Sequence, residues 1–207
     1  MHIELTEMLR CPEPHESAPL VLSTGEMVGR MVRKGVVGCP VCQREYPIVD
    51  GIVDFTGSGE RGAVRADAHP DPPLPAPRSP DYAQTLQALL DLSGPGGIVV
   101  LVGTAARYAE ALAALMGGVH FAGVNAPSGV EERPVLSLLR AGSQVPLRDA
   151  MARGVVLGRD VPGDPWLVEA VRVLLRGRRL VVEDERVAPP GMRALARAEG
   201  LWVGEKR

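Results

Sequence analysis

The C-terminal part of the chain alternates amphipathic segments with short apolar runs. Apolar residues recur at helical spacing in residues 85–92, 107–116, 166–175 and 192–200. Between them lie runs such as IVVLV at 98–102, which is apolar throughout and is typical of a strand buried on both faces. Strands are predicted for residues 98–103, 119–124, 154–160, 179–184 and 201–206. Because strands alternate with helices, we predict an α/β domain with a mostly parallel sheet over residues 81–207.

The N-terminal part has a different pattern, with many glycines and prolines between short apolar runs. PLVLS at 19–23, MVGRMV at 27–32 and IVDGIVDF at 48–55 are typical of short strands joined by turns. A separate small α+β module is therefore predicted for residues 1–55. Residues 56–80 contain six prolines and almost no large apolar side chain, so we predict a proline-rich linker there.

Charge and hydropathy narrow the possible functions. The formal net charge is -2, which gives no electrostatic basis for binding nucleic acid. The short basic stretches at 29–34 and 176–179 fit solvated turns. The first ten residues lack the apolar core of a signal peptide, and IVVLV is too short to span a bilayer. We therefore expect a soluble, cytoplasmic protein with no membrane partner.

Three cysteines introduce candidate metal chemistry. Cys39 and Cys42 lie in C-P-V-C, and Cys11 begins C-P-E-P-H. Thiolates at C-x-x-C spacing converge on one metal ion, and a closed zinc site has four protein ligands. His15 lies four positions after Cys11, and an imidazole reaches further than a thiolate. We predict a zinc site formed by Cys11, His15, Cys39 and Cys42.

The sequence leaves other ligand sets open. Glu13 and Glu16 offer carboxylates close to His15, and His2 is a more distant imidazole. In a further alternative the site has decayed and Cys11 is only a small buried residue. A thioredoxin-like redox function is disfavoured, because the proline in Q-R-E-Y-P-I argues against the helix that should follow such a cysteine pair.

LTEMLRCP and GCPVCQREYPIVDGIVDF are the informative parts of residues 1–55. They resemble the small zinc-ribbon family that activates tRNA, ribosomal-RNA and release-factor methyltransferases. The resemblance implies an N-terminal helix and a small sheet around the metal, and a module that docks on a methyltransferase instead of doing chemistry itself. C-P-E-P-H stands where the family has C-P-x-C. The resemblance assigns structural functions to Tyr46, Pro47, Ile48, Asp50 and Gly51.

VLVGTAARYAEALAAL followed by FAGVNAP, and EAVRVLLRGRRLVVED followed by MRALARAEGLWV, carry a second resemblance. They are similar to segments of Rossmann-like S-adenosylmethionine methyltransferases, and the similarity covers residues 81–207. It implies a sheet that ends in an antiparallel hairpin. With residues 192–200 predicted as helix, the domain is shortened and one sheet edge is open. We expect the ribbon or a second copy of the chain to pair with that edge.

The chain departs from those methyltransferases at the cofactor loop. They hold S-adenosylmethionine against a glycine-rich loop, because only glycine lets the backbone come so close to a ligand. Here Gly103 stands alone, and Asn125 occupies the position where a carboxylate binds the ribose. If the cofactor binds, we expect Gly103 and Asn125 to form its site, and no catalytic residue is predicted. In alignment on RYAEAL, the motif's acidic position and its three glycine positions fall on Val100, Val102, Thr104 and Ala106.

These observations lead to a functional hypothesis. We predict a zinc-ribbon protein with a degenerate, non-catalytic methyltransferase-like domain that acts as a binding scaffold. Zinc is the expected cofactor, and S-adenosylmethionine is expected to bind weakly or not at all. The expected partners are the chain's own methyltransferase-like domain, a second copy of the chain, or another methyltransferase. The alternatives are an active S-adenosylmethionine-dependent methyltransferase with an atypical loop, a nucleotide ligand in the same crevice, or a nucleic-acid-binding ribbon.

Overall fold

The N-terminal residues form a 3-10 helix and a run of antiparallel strands. The fold is described from a computed structural model, which describes residues 1–57, 78–79, 81–161, 163–187 and 189–207. A 3-10 helix spans Ile3–Met8. Four antiparallel strands follow: β1 (Val21–Val28), β2 (Met31–Gly38), β3 (Glu45–Val49) and β4 (Ile52–Asp54).

The C-terminal residues form alternating strands and helices, as the hydrophobic pattern predicts. The helices are α1 (Tyr82–Leu90), α2 (Ala109–Leu115) and α3 (Asp164–Val173), and a 3-10 turn at Gly103–Tyr108 precedes α2. The strands are β5 (Ile98–Val102), β6 (His120–Val124), β7 (Leu136–Arg140), β8 (Ala152–Leu157), β9 (Leu174–Val182), β10 (Met192–Ala198) and β11 (Leu201–Lys206).

All eleven strands of the described residues belong to one sheet. Its order is β1-β2-β3-β4-β7-β6-β5-β8-β9-β11-β10. The pairs from β4 through β7, β6, β5 and β8 to β9 are parallel, which confirms a mixed α/β fold with a mostly parallel central sheet. The order reverses at β5, with β6 on one side and β8 on the other. In open α/β sheets, ligands bind outside the carboxyl ends of the strands at such a reversal.

Two hydrophobic cores cover the two faces of the sheet. Val99 and Leu101 of β5 pack in the core that contains α1 and α2. Ile98, Val100 and Val102 point to the opposite face and pack in the core that contains α3. Alternate side chains of a strand face opposite ways, so a run that is apolar throughout is buried on both sides. The second core also includes side chains of the N-terminal module, among them Cys11, Tyr46 and Phe55.

The N-terminal module continues the sheet at the edge strand β7. Strand β4 pairs with β7 in parallel, with Ile52 opposite Leu138 and Val53 opposite Leu139. This edge differs from the one that the predicted helix at 192–200 would leave open, where the structure has the β10–β11 hairpin. The sequence analysis predicts no strand at LSLLR, residues 136–140. It therefore predicts neither β7 nor the sheet edge that β4 covers.

Further side-chain and backbone contacts reinforce this junction. Leu9, two residues before the metal-ligand candidate Cys11, forms a β-bridge with Leu147. The guanidinium of Arg33 donates to the buried carboxylate of Glu132 at 2.6 Å. The two parts of the chain are thus joined by a strand pair, a bridge and an ion pair.

The helix predicted over residues 192–200 is wrong, because the structure has strand β10 there. Glu199 and Gly200 both have positive φ values, 54° and 72°, and form a two-residue turn between β10 and β11. Two residues in the left-handed region match the twist of a β-hairpin. Strand β11 inserts between β9 and β10, so the sheet ends in the antiparallel hairpin that the helix prediction had left out.

The predicted linker at 56–80 lies outside the described residues except for residues 56, 57, 78 and 79. Across the part of the chain that the structure describes, every helix is too short or too polar to cross a membrane.

Candidate functional site

The C-P-V-C run forms a tight turn after β2. The backbone N–H of Gln43 donates to the carbonyl of Cys39 at 2.9 Å, and the N–H of Cys39 donates to the carbonyl of Arg44 at 2.8 Å. Gln43 lies in the left-handed region, with a φ of 58°. These two hydrogen bonds close the turn and hold Cys39 and Cys42 on the same side of the module as Cys11.

The structure brings the four predicted ligands together. Their donor atoms all lie within 4.8 Å of one another. The Sγ atoms of Cys11 and Cys42 are 3.6 Å apart, and Sγ of Cys39 is 3.4 Å from Nε2 of His15. With Zn–S bonds of about 2.3 Å and Zn–N bonds of about 2.0 Å, a tetrahedral site separates two sulfurs by about 3.8 Å and sulfur from nitrogen by about 3.5 Å. The donor set and its spacing therefore fit a closed zinc site.

His15 is oriented as a ligand, and two of the alternative ligands, Glu13 and His2, are engaged elsewhere. Its Nδ1 donates to the carbonyl oxygen of Glu16 at 2.6 Å, which leaves the lone pair of Nε2 for a metal. The carboxylate of Glu13 is 3.2 Å from the guanidinium of Arg44. Nδ1 of His2 accepts a hydrogen bond from a backbone N–H of the 3-10 helix. The cluster thus consists of the three cysteines and His15.

The protein environment makes the thiols unequal. Burial raises the pKa of Cys11 to about 11. Burial also opposes ionisation of Cys39, but the backbone N–H groups of Cys42 and Val41 donate to its sulfur, and the net pKa falls to about 7. A buried thiolate is costly unless a cation compensates its charge. A divalent metal would supply that charge to all three sulfurs, which couples metal binding to folding of the module.

Tyr46 makes a contact with the cluster that the sequence does not reveal. Its hydroxyl lies 3.0 Å from Sγ of Cys11, and its side chain is buried. Burial raises the pKa of Tyr46, so the hydroxyl keeps its proton and can donate to the sulfur. The ring also packs on Phe55, with the two ring centroids 4.7 Å apart.

The two residues of the predicted cofactor site lie at neighbouring strand ends. Gly103 directly follows β5 and Asn125 directly follows β6, and these strands pair in parallel up to Val102 and Val124. Both residues adopt left-handed backbone conformations, with φ values of 63° and 51°. They therefore lie at the carboxyl ends of two neighbouring parallel strands, the edge of an open α/β sheet where ligands bind.

Gly103 is in close contact with the loop that follows β8. A Cβ at Gly103 would lie 2.6 and 2.7 Å from the two carboxylate oxygens of Asp160, and 2.7 Å from a methyl group of Val161. The same carboxylate accepts hydrogen bonds from the backbone N–H of Thr104 at 2.8 Å and from its hydroxyl at 2.5 Å. The glycine thus allows the backbone to approach a side chain of its own chain.

Asn125 uses both ends of its amide in a structural contact. Its Nδ2 donates to the carbonyl of Ala141 at 2.9 Å, and its Oδ1 accepts the N–H of Ala141 at 2.9 Å. This pair of bonds extends the β6–β7 pairing by one residue. The side chain is exposed, but its polar groups are already paired.

The sequence analysis does not predict the contact between Asp160 and Thr104. The position of Asp160 three residues after the end of β8 is the available signal, because carboxyl ends of neighbouring parallel strands meet at one edge of the sheet. Nothing in the sequence near Asn125 points to Ala141, since that pairing depends on β7, which was not predicted.

Fold and site together define a mixed α/β protein with a mostly parallel sheet and a Cys₃His cluster. No protein-family model matches the sequence, and no curated protein matches it. Solved structures with a similar fold include the antibiotic-resistance methyltransferase Kmr, with 17% sequence identity and a TM-score of 0.42 over 59% of this chain and 91% of that chain.

The alignments with two further similar structures cover about half of this chain and about half of the other chain. One belongs to the complex between the Haloferax volcanii Trm112 methyltransferase activator and a methyltransferase, with 21% identity and a TM-score of 0.40 over 49% of this chain and 51% of that chain. The other is a geranyl diphosphate methyltransferase in complex with S-adenosylmethionine, with 18% identity and a TM-score of 0.41 over 49% and 47%. At these identities the similarity concerns the fold alone.

Proposed function

We propose that this chain is a methyltransferase-associated zinc-ribbon protein whose methyltransferase-like domain is a non-catalytic binding scaffold. The contact between Asp160 and the loop at Gly103 carries the proposal. A glycine loop that serves a cofactor must leave room beside its backbone. Here the carboxylate of Asp160 takes that room and accepts two hydrogen bonds from Thr104.

The state of Asn125 supports the same proposal. A residue that binds ribose needs polar atoms that are available to the ligand, and both amide groups of Asn125 are bonded to Ala141. Val100 is fully buried and apolar where the motif has an acid. A ligand at this place would have to break existing bonds before it formed its own, which lowers its affinity.

We further propose that the N-terminal module is a zinc ribbon of the activator type whose methyltransferase-like partner is its own C-terminal domain. Strand addition to an exposed sheet edge is a common way for one protein to bind another. The pairing of β4 with β7 uses that mode within one chain. A ribbon tethered in this way occupies the edge that a separate partner would need.

An active S-adenosylmethionine-dependent methyltransferase is the second candidate. The reversal of strand order at β5 and the terminal β10–β11 hairpin favour it, because they complete the sheet expected of such enzymes. In that case Asp160 would have to move away from Thr104 when the cofactor binds. The two candidates thus differ in what happens at one contact.

Calorimetric titration of the zinc-loaded chain of residues 1–207 with S-adenosylmethionine, and separately with its demethylated product, tests the proposal. We expect no heat beyond dilution up to about millimolar ligand, the weak end of the affinity scale. Asp160→Asn serves as the matched variant, because it removes the charge while keeping the shape. A micromolar dissociation constant for the wild-type protein would contradict a blocked cofactor loop and favour the enzyme candidate.

A further inference from the structure

The buried hydroxyl of Tyr46 is close to one sulfur of the Cys₃His cluster. It is 3.0 Å from Sγ of Cys11, whereas the two partners lie 35 residues apart in sequence. Tyr46 stands in β3 opposite Val37 of β2, so the pairing of β2 with β3 determines the direction of its side chain. The hydrogen bond is therefore formed by the folded module and not by the ligand turn.

The charge of the proposed metal centre gives this contact a function. Three thiolates and one neutral imidazole around a zinc ion carry one net negative charge. Cys11 is buried, with 5% of its surface exposed. Water cannot solvate a thiolate at that depth, so hydrogen-bond donors from the protein must offset the charge.

We propose that Tyr46 is a positioning residue of the metal centre, whose hydroxyl donates to the Cys11 thiolate and so strengthens metal binding. The inference rests on the proposed zinc site. Donors outside the first coordination sphere orient the ligands and tune the metal, and their loss commonly costs about 10-fold to 100-fold in metal affinity. Tyr46 also connects the candidate metal cluster to the domain junction. Its ring packs on Phe55, and the backbone N–H of Phe55 donates to the carbonyl of Arg140 at 2.8 Å.

Tyr46→Phe in the chain of residues 1–207 removes the hydroxyl and keeps the ring. In competition with a chromogenic chelator, we expect about 10-fold to 100-fold weaker zinc binding, with the same zinc content at saturation. In the cobalt-substituted protein, the thiolate-to-metal charge-transfer band should shift, because the sulfur loses a hydrogen bond. Tyr82→Phe is the matched control, since it removes the hydroxyl of a buried tyrosine in α1 and should change neither result.

The outcomes separate this inference from the proposed function. A wild-type protein that binds no zinc would overturn both. The inference alone would be overturned if the wild type and Tyr46→Phe bound zinc with equal affinity and had the same cobalt spectrum. If the variant fails to fold, NMR of the cadmium-loaded wild-type protein decides: the Tyr46 hydroxyl proton should be protected from exchange and coupled to the metal nucleus, and a freely exchanging proton would contradict the proposal.

Discussion

The carboxylate of Asp160 accepts two hydrogen bonds from Thr104, one from the backbone N–H at 2.8 Å and one from the hydroxyl at 2.5 Å. Thr104 follows β5 and Asp160 follows β8, the two strands that pair at the centre of the sheet. The contact therefore ties together two loops at the reversal of strand order. In an α/β protein with a ligand at this place, these loops would surround the ligand.

Gly103→Ala should destabilise the protein by about 1–3 kcal/mol, because it strains the backbone and overpacks the contact with Asp160. The φ of 63° is unfavourable for alanine, and the added Cβ would meet the carboxylate at 2.6 Å. Urea denaturation measures the change. Gly142→Ala is the control, since its φ is not in the left-handed region and no atom lies within 4 Å of the added Cβ. Equal stability of the two variants would contradict the close packing at Gly103.

His15→Ala should lower the zinc content well below one ion per chain after dialysis against a weak chelator. Removal of the imidazole leaves three sulfur ligands and an open position, which converts a closed site into a labile one. Metal analysis and thermal melting measure the loss, and melting should become less sensitive to added zinc. His2→Ala is the control, because His2 lies outside the cluster. Unchanged zinc affinity in His15→Ala would show that another group is the fourth ligand.

Much of the fold could be predicted because local pattern and tertiary environment agree. The run IVVLV predicts a strand buried on both faces, and β5 is such a strand at the centre of the sheet. Strand β10 could not be predicted in this way. Its alanines, leucine and arginines favour helix, but six of its seven residues are exposed and its structure depends on pairing with β11.

In the candidate site, too, the features that depend on local sequence could be predicted and the long-range contacts could not. Short-range spacing suggested the four ligands, because a turn alone brings Cys39 and Cys42 close together. The contacts of Asp160 with Thr104 and of Tyr46 with Cys11 span 56 and 35 residues, and no local signal encodes them. Such pairs become visible only when the register of the sheet is known.

The half-buried His120 should make stability fall as the pH decreases from about 6.5, the ordinary pKa of histidine. Burial, together with the nearby His2, lowers the pKa of His120 to about 4. Between those values the unfolded chain binds a proton that the folded protein does not, so unfolding becomes easier at lower pH. Nε2 of His120 is 3.0 Å from the hydroxyl of Ser137, and in the neutral form it can accept a hydrogen bond from that hydroxyl.

Urea denaturation of the wild type and of His120→Gln at pH 7 and pH 5 checks this prediction. The two proteins share every other titratable group, so the difference between them isolates His120. We expect the wild type to lose more stability than the variant, by at most about 1.4 kcal/mol for each pH unit. An identical pH dependence in the two proteins would show that His120 is protonated equally in the folded and unfolded states.

Asn125→Ala should destabilise the protein without any ligand, because it removes two hydrogen bonds to the backbone of Ala141. We expect a loss of about 1–3 kcal/mol, since the N–H and carbonyl of Ala141 lose their partners. Asn125→Gly has the same loss of bonds but tolerates the φ of 51°, so the difference between the two variants measures the backbone strain. Denaturation should be repeated with millimolar S-adenosylmethionine. A scaffold gains nothing from the ligand in any of the three proteins, whereas stabilisation of the wild type alone would indicate that Asn125 leaves Ala141 to bind a cofactor.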